Sequence, residues 1–484
     1  MATASSTGLE SRIRAILNRR AAVGLAVGVV REGSLESFSG HGVADIATGT
    51  PVTEDTVFRV ASITKTFTAI AVMQLWEQGL VDLDAPAGEY LRAYRLLPAR
   101  PGFRPATLRH LLTHTAGVPE VAHPLLLGRP LFGETVPMGR PVPTPAEFYG
   151  AGLRIGAEPG RRFVYTDHGF TTLGQIVEDV SGRPFADYLR EHVFAPLGMA
   201  STDLVRTARI RAALATGYEL RSRGPRAVTD YEMVTAGASS AYSTTADMAR
   251  YAAALLGGGA NAHGSVLEPA TLELMFAPQY RADPRLPGIG LAFWRGDARG
   301  HRIVEHGGIL TGFTSELFLA PDDGLGVLMF TNGARQAMLW LPSATEGLLR
   351  DLLGVAADAV RADLPQHPET WADLCGWYTV PARLTDVRAR LMVGGGVQVA
   401  VRGGRLVLRC LAPVPSLLRG LPLHPDDEDD HYAFRVDLGE FGIGTARVVF
   451  SRDPAAVHLD LPPMSAIKRR GFADRRAAQG SRTR

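Results

Sequence analysis

Strand-like segments bracket a long helical middle, and that arrangement limits the fold more than any other feature of the chain. Residues 22 to 31 and 35 to 43 are apolar-rich runs around Glu32-Gly33, a hairpin signal. Residues 289 to 294, 301 to 306, 313 to 319 and 325 to 331 again run apolar or alternate, with glycines between them. Between the two groups the period is helical, near 107 to 113, 168 to 180, 184 to 194, 245 to 255 and 269 to 276, and helical patterns also cover 9 to 19 and 338 to 353. Strands at both ends with helices between predict an α+β architecture: one antiparallel sheet whose halves are far apart in sequence, flanked by helices, plus a helical subdomain. One domain, residues 8 to 360, fits that pattern better than two.

Residues 361 to 369 are punctuated by Asp363, Pro365 and Pro368 and carry no period, so they read as a linker. The pattern then changes. VQVAV and LVLRC around Gly403-Gly404 form a second hairpin signal, and alternating runs follow at 432 to 438 and 446 to 450, predicting a small all-β domain over 370 to 470. The basic tail, 471 to 484, is expected to be disordered. Glu120 to Pro145 is rich in Pro and Gly without a period; loops of that length inside a compact domain are usually functional, which assigns it to the rim of a site.

Charge and cysteine usage exclude several classes. Fifty-one Lys+Arg against 49 Asp+Glu leave a formal charge of +2, too small a footprint for phosphate backbones, so no nucleic-acid partner is expected. No run of 18 apolar residues predicts a membrane span, and the charged start lacks a secretory pattern, so a cytoplasmic location is expected. Cys375 and Cys410 belong to no CxxC or Cys/His cluster, which excludes a disulfide framework or a zinc finger. His110 and His114 have the spacing of a helical metal pair but lack the Glu of HExxH, and a packed or capping role is expected for them. No metal and no cofactor are expected. The oligomeric state is left open.

Lysine is nearly absent: Lys65 and Lys468 are the two in the chain. Arginine stays charged at any relevant pH, whereas lysine can exchange its proton, so proton-transfer chemistry is a reason to keep one. In Val60-Ala61-Ser62-Ile63-Thr64-Lys65 an extended stretch enters an apolar helix predicted from Ser62 to Gln78, with Gly79 at its C-cap. Residues three apart share a helix face, so the Ser62 hydroxyl and the Lys65 amine become neighbours, a nucleophile-plus-base pairing near the positive end of the helix. Spacing alone is weak evidence, because Ser465-Ala466-Ile467-Lys468 repeats it. That copy follows two prolines and soon meets Gly471, so no buried helix is expected around it.

Two more segments add to the first copy. Tyr165 and Asp167 lie where an extended stretch meets a helix, and His306-Gly307-Gly308 lies between two predicted strands, where glycines let a substrate approach a strand edge and let N–H groups face an oxyanion. Together, Ser62-x-x-Lys65, Tyr165-x-Asp167 and His306-x-Gly308 resemble the serine β-lactamase and penicillin-binding-protein family, most closely its class C-like serine hydrolase and esterase branch, marked by S-x-x-K, then Y-x-N or S-x-N, then K-T-G or H-x-G. LRHLLTHTAGV at 108 to 118, YSTTADMARY at 242 to 251 and HGGILTGFTSELFLAPDDGLGVLMFTN at 306 to 332 also look familiar, and the resemblance covers roughly residues 10 to 355.

The resemblance implies that Ser62 attacks a carbonyl, that Lys65 and Tyr165 share the proton traffic, and that the N–H groups of Ser62 and Ile309 form the oxyanion hole. It places His306 at the cleft edge, orienting Tyr165 or a substrate carboxylate. Asp167 departs from the usual Asn. A carboxylate accepts without donating and adds negative charge, so it should raise the pKa of Lys65, shift the base role to a Tyr165 tyrosinate and repel acidic substrates such as β-lactams. The expected activity is hydrolysis of a small ester, amide or peptide through an acyl-serine, esterase-like in preference. A D-amino-acid-specific peptidase, a transpeptidase or a β-lactamase is the rival within enzymes, and a non-catalytic binding protein on the same fold is the rival outside them.

Overall fold

The computed structural model describes residues 2–381, 383–388, 390, 396–410, 414–454, 456–461 and 464–469. The basic tail expected at 471 to 484 lies outside them. Two compact units form. The first holds residues 1–279 and 289–357, and the second holds 280–288 and everything from Asp358 onward. The excursion 280–288 has no counterpart in the domain boundaries read from the sequence.

The first unit is built on a seven-stranded sheet in the order Trp294–Ala298, His301–Leu310, Phe313–Ala320, Leu325–Thr331, Gly24–Arg31, Ser34–Asp45, Thr50–Pro51, with every neighbouring pair antiparallel. The chain's first long strand therefore pairs with its last, Leu25 opposite Thr331 and Arg31 opposite Leu325. Glu32 and Gly33 both take positive φ, 48° and 74°, which turns the first hairpin in two residues. Both faces of the 24–31 strand are covered. Leu25, Val27 and Val29 pack with Ile13, Trp340, Leu341 and Leu349 of the helices Ala2–Arg19 and Ala337–Leu353, while Ala26 and Val30 point into the helical core with Phe67, Ile70 and Met248. Burial on both sides explains why this strand reads as a continuous apolar run.

The central helix, Thr64–Glu77, is buried from Thr64 through Leu75. Apolar and threonine side chains surround it on all sides, the pattern of a helix enclosed by protein. The α-helix begins two residues later than expected, because Ala61–Ile63 forms a 3-10 turn that Ala61 enters at φ +48°.

Two further expectations change. Residues 289 to 293 are not a strand. The run Ile289, Leu291, Ala292 and Phe293 is fully buried, but its backbone bonds run to helix ends, Leu291 N–H to Met275 O and Ala292 N–H to Leu112 O, and the strand starts at Trp294. An apolar run without a period reports burial and not conformation. The 120–145 stretch is also more structured than a loop: Thr135–Pro137 pairs with Tyr231–Met233, and Pro145–Tyr149 forms a short helix closed by a Thr144–Glu147 capping box.

In the second unit eight strands from Gly376–Thr379 to Met464–Lys468 close a barrel. Closure is direct, since Tyr378 pairs with Val397 on one side and with Lys468 on the other. The expected hairpin turns at Gly403 and Gly404, with φ 54° and 71°. Tyr378, Leu406, Leu423, Phe434, Val448 and Phe450 form the core. The helix Pro368–Leu374 begins inside the stretch read as a linker. Residues 280–288 join this unit through Leu286, which packs with Ala433 and Val449, and through Arg285, which donates to Asp430 and to Phe450 O. The second serine–lysine copy lies on the last strand.

Candidate active site

Ser62 lies on a turn pinned from three directions. Val60 N–H donates to Ala241 O, Ala241 N–H donates to the Thr64 hydroxyl, and the Ser315 hydroxyl donates to Val60 O at 2.8 Å. The positive φ of Ala61 lets an extended strand, Val57–Arg59, turn sharply into the helix. Ser62 is partly exposed, whereas its neighbours Ala61 and Ile63 are buried.

Lys65 is fully buried, and each donor of its ammonium is used. Nζ donates to Ser62 Oγ at 3.0 Å, to Asp167 Oδ1 at 2.6 Å and to Ala238 O at 3.1 Å. It also lies 4.8 Å from the centre of the Tyr165 ring. Burial alone would lower the lysine pKa, but the Asp167 charge and Tyr165 outweigh it and hold the pKa above its ordinary value. The direction expected from the Asp at this position is therefore the direction found. Asp167 opens the helix Asp167–Ser181, and Thr166 caps it with its hydroxyl on the His168 N–H.

The Tyr165 ring is fixed by its neighbours, with His114 at 4.3 Å and Trp294 stacked nearly parallel at 6.1 Å and 9°. Trp294 thus walls the tyrosine, while Phe293 belongs to the core. His110 and His114 do not converge: His110 Nδ1 accepts from Thr107 N–H and His114 Nδ1 from Thr166 N–H, a cap and a packed support.

The strand His301–Leu310 runs against the Ser62 turn. A Cβ on Gly308 would meet Val60 O at 2.2 Å and Ser62 N at 2.9 Å, so glycine there allows the backbone contact that brings the strand to the nucleophile turn. Gly307 leaves room for the Glu316 carboxyl, 2.5 Å from where its own Cβ would stand. Ile309 exposes half of its surface beside them.

His306 corrects an expectation. It is 1% exposed, not at the cleft edge; its Nδ1 donates to Gly307 O at 2.7 Å, and burial, helped by the Lys65 charge, pushes its pKa down to about 3. A neutral enclosed imidazole offers a substrate carboxylate no charge.

His168 follows Asp167 in the first turn of its helix. It is fully buried and anchors the 120–149 stretch: Ala122 N–H donates to Nε2 at 3.1 Å, the Tyr149 hydroxyl lies 3.0 Å from Nδ1, and Glu134 comes within 3.3 Å. The stretch is thus tied to the residue that follows Asp167. No sequence signal marks this, because the partners lie 46, 19 and 34 positions away and have no common spacing.

Among the described residues, His367, Glu369 and His431 of the second unit bring ligand atoms within 4.8 Å of one another. Their imidazoles stack face to face at 3.5 Å and 11°, so the in-plane lone pairs do not converge on one ion. No helix among the described residues is long and apolar enough to cross a membrane.

Residues 9–343 match the Beta-lactamase family. The chain is 29% identical over 387 residues to penicillin-binding protein 4 of Amycolatopsis lactamdurans, covering 76% of this chain and 96% of that one. It is 31% identical over 219 residues to esterase EstB of Burkholderia gladioli, covering 43% and 55%. The octameric penicillin-binding protein homologue from Pyrococcus abyssi superposes with a TM-score of 0.61 at 24% identity, covering 96% of this chain and all of that one. With the family match spanning most of its length and a serine, a lysine and a tyrosine gathered at one turn, the chain belongs to the beta-lactamase family of serine hydrolases.

Proposed function

We propose that the protein hydrolyses a small ester or amide through an acyl intermediate on Ser62, with esters preferred over β-lactams. The observation that carries the reading is the Lys65 ammonium, bonded at once to Ser62 Oγ and to the Asp167 carboxylate. An ammonium held charged by a carboxylate has no lone pair for the serine proton. Tyr165 then takes that proton, with Lys65 stabilising the phenolate, and returns it to the leaving group. The N–H groups of Ser62 and Ile309 receive the oxyanion on the strand that Gly308 lets approach. Water activated by the same tyrosine releases the acid. His306, neutral and enclosed, adds no charge.

Asp167 supports the preference for esters, because a carboxylate in the position of an amide repels the acid group of a β-lactam and cannot donate to a substrate carbonyl. The similarity to a protein named esterase points the same way, and the similarity to a penicillin-binding protein keeps D-peptides in the test. Intact-mass detection of acylated Ser62 across short-chain aryl esters, D-peptides and β-lactams tests both parts. Rapid turnover of aryl esters is expected. Cephalosporin cleavage at an equal rate overturns the preference, and the absence of any adduct or turnover across the panel overturns the mechanism.

A further inference from the structure

Two acids meet behind the strand His301–Leu310, on the face turned away from Ser62. Glu316 is 2% exposed and stands directly opposite Gly307 in the ladder. Its carboxyl folds over that glycine: a Cβ on Gly307 would lie 2.5 Å from Oε2 and 2.8 Å from Oε1. Glu305, two residues earlier, points to the same face and is the diagonal neighbour of Glu316. Phe318, opposite Glu305, belongs to one cluster with Trp340 and Leu341, so the helix Ala337–Leu353 covers this face.

Among the described residues no base offsets either acid. The covering helix brings Glu346, whose charge acts on Glu305, and Arg350, which donates to Glu346 and to Asp297 O. The neighbouring strands bring Met329 opposite Glu316 and Trp294 opposite Glu305, while Arg295 stands opposite Val304. His306 is turned to the other face by strand alternation. Burial and the Glu346 charge push the Glu305 pKa up to about 8, and burial and the Glu305 charge raise that of Glu316 well above the ordinary value. Both acids are therefore uncharged at neutral pH.

The chemistry lies across the same strand. Gly308 is pressed against the Ser62 turn without slack, since a Cβ there would meet Val60 O at 2.2 Å and Ser62 N at 2.9 Å. The Glu316 carboxyl thus backs the stretch of backbone whose next residue faces the nucleophile. We propose that Glu316 is a positioning residue: as an uncharged acid its carboxyl fills the space behind Gly307 and seats Gly308 and Ile309 against the Ser62 turn. Ionisation demands water at the carboxylate and sets two like charges side by side, so the strand lifts from the turn and the oxyanion donors lose alignment. The assignment of those donors rests on the acyl-serine reading above.

The test compares wild type with Glu316→Gln and Glu305→Gln, which keep the shape and cannot ionise. For an aryl ester, kcat and KM are measured from about pH 6 to about pH 10. Wild-type kcat should fall about tenfold for each pH unit above the first ionisation while KM changes little, and in the Gln variants the fall should begin about one unit higher or more. Glu316→Ala, which empties the space, should lower kcat about tenfold even near pH 6, and Glu316→Gln should restore most of it. Stability gives a second readout. Each acid has a folded pKa above its ordinary value of 4.5, so the unfolded chain loses these protons first and wild-type stability falls as pH rises from there towards the folded values. Glu316→Gln removes its share of that loss, and its Tm relative to wild type should gain a few degrees between about pH 5 and about pH 8. Superimposable kcat profiles overturn the positioning role, and a Tm difference that does not change with pH overturns the uncharged acid. Fluorophosphonate labelling of the same samples separates the failures, since labelled protein with matching profiles loses only the role of Glu316, whereas unlabelled wild type loses the Ser62 reading.

Discussion

Ser62-Ile63-Thr64-Lys65 and Ser465-Ala466-Ile467-Lys468 share one spacing and end in different chemistry. In the first, a 3-10 turn leads into a helix and the lysine folds back to 3.0 Å from the serine oxygen, enclosed with a carboxylate. In the second, the four residues lie on the closing strand of a barrel. Strand residues three apart face opposite sides, so Lys468 reaches Asp373 O while Ser465 lies 3.3 Å from His458. A nucleophile and the ammonium that supports it need a shared face, which the helical turn gives to the first copy and the strand denies to the second.

The contrast can be broken most directly at the serines. Ser62→Ala should lower ester turnover by about four orders of magnitude or more and abolish fluorophosphonate labelling, while Ser465→Ala keeps both. Labelling that follows Ser465 instead would reverse the assignment.

The lysines come next. Lys65→Met removes one partner of a buried ion pair and leaves Asp167 facing it uncompensated, so urea unfolding should show a loss of about 3–5 kcal/mol along with the activity. Lys468→Met, whose lysine bonds one carbonyl near the surface, should cost about 1 kcal/mol or less.

Glycines sharpen the comparison further. Gly308→Ala pushes the strand off the Ser62 turn and should reduce kcat by roughly 100-fold, as misplacements near 1 Å do. Gly404→Ala in the barrel meets no neighbour but forces alanine to φ 71°, so calorimetry should record about 1 kcal/mol of lost stability with turnover unchanged.

The smallest effect concerns charge. Because the Lys65 pKa is raised in the folded protein, its contribution to stability is fully present below the ordinary value of 10.5 and is lost as pH rises through the folded value. Asp167→Asn removes the main attraction that outweighs burial, so the alkaline loss of stability should begin at lower pH in that variant. Cephalosporin acylation relative to aryl-ester acylation should rise about tenfold once the carboxylate is gone. Matching alkaline unfolding curves for variant and wild type would remove Asp167 as the cause of the shift.

Legibility followed the range of the interactions. The hairpins at Glu32-Gly33 and Gly403-Gly404 were readable because turn geometry selects residues that accept positive φ or lie beside one that does. The helix Pro269–Phe276 was readable from its period. Residues 289–293 misled because apolar side chains bury equally well on a strand or on a loop wedged between helix ends. The burial of His306 was hidden for a related reason: it lies within the strand His301–Leu310 and not between two strands as expected, and neither placement says what covers it.

Alone, the sequence determined the local conformations, the pairing of Ser62 with Lys65 across one helical turn, and the carboxylate at position 167 that raises the lysine pKa. Tertiary structure alone decided that Ala61 turns left-handed, that His168 ties down the 120–149 stretch, and that residues 280–288 join the second unit. The first set is governed by residues a few positions apart, where period and propensity act. The second depends on backbone approaches and buried polar partners between distant segments, which no spacing along a single chain encodes.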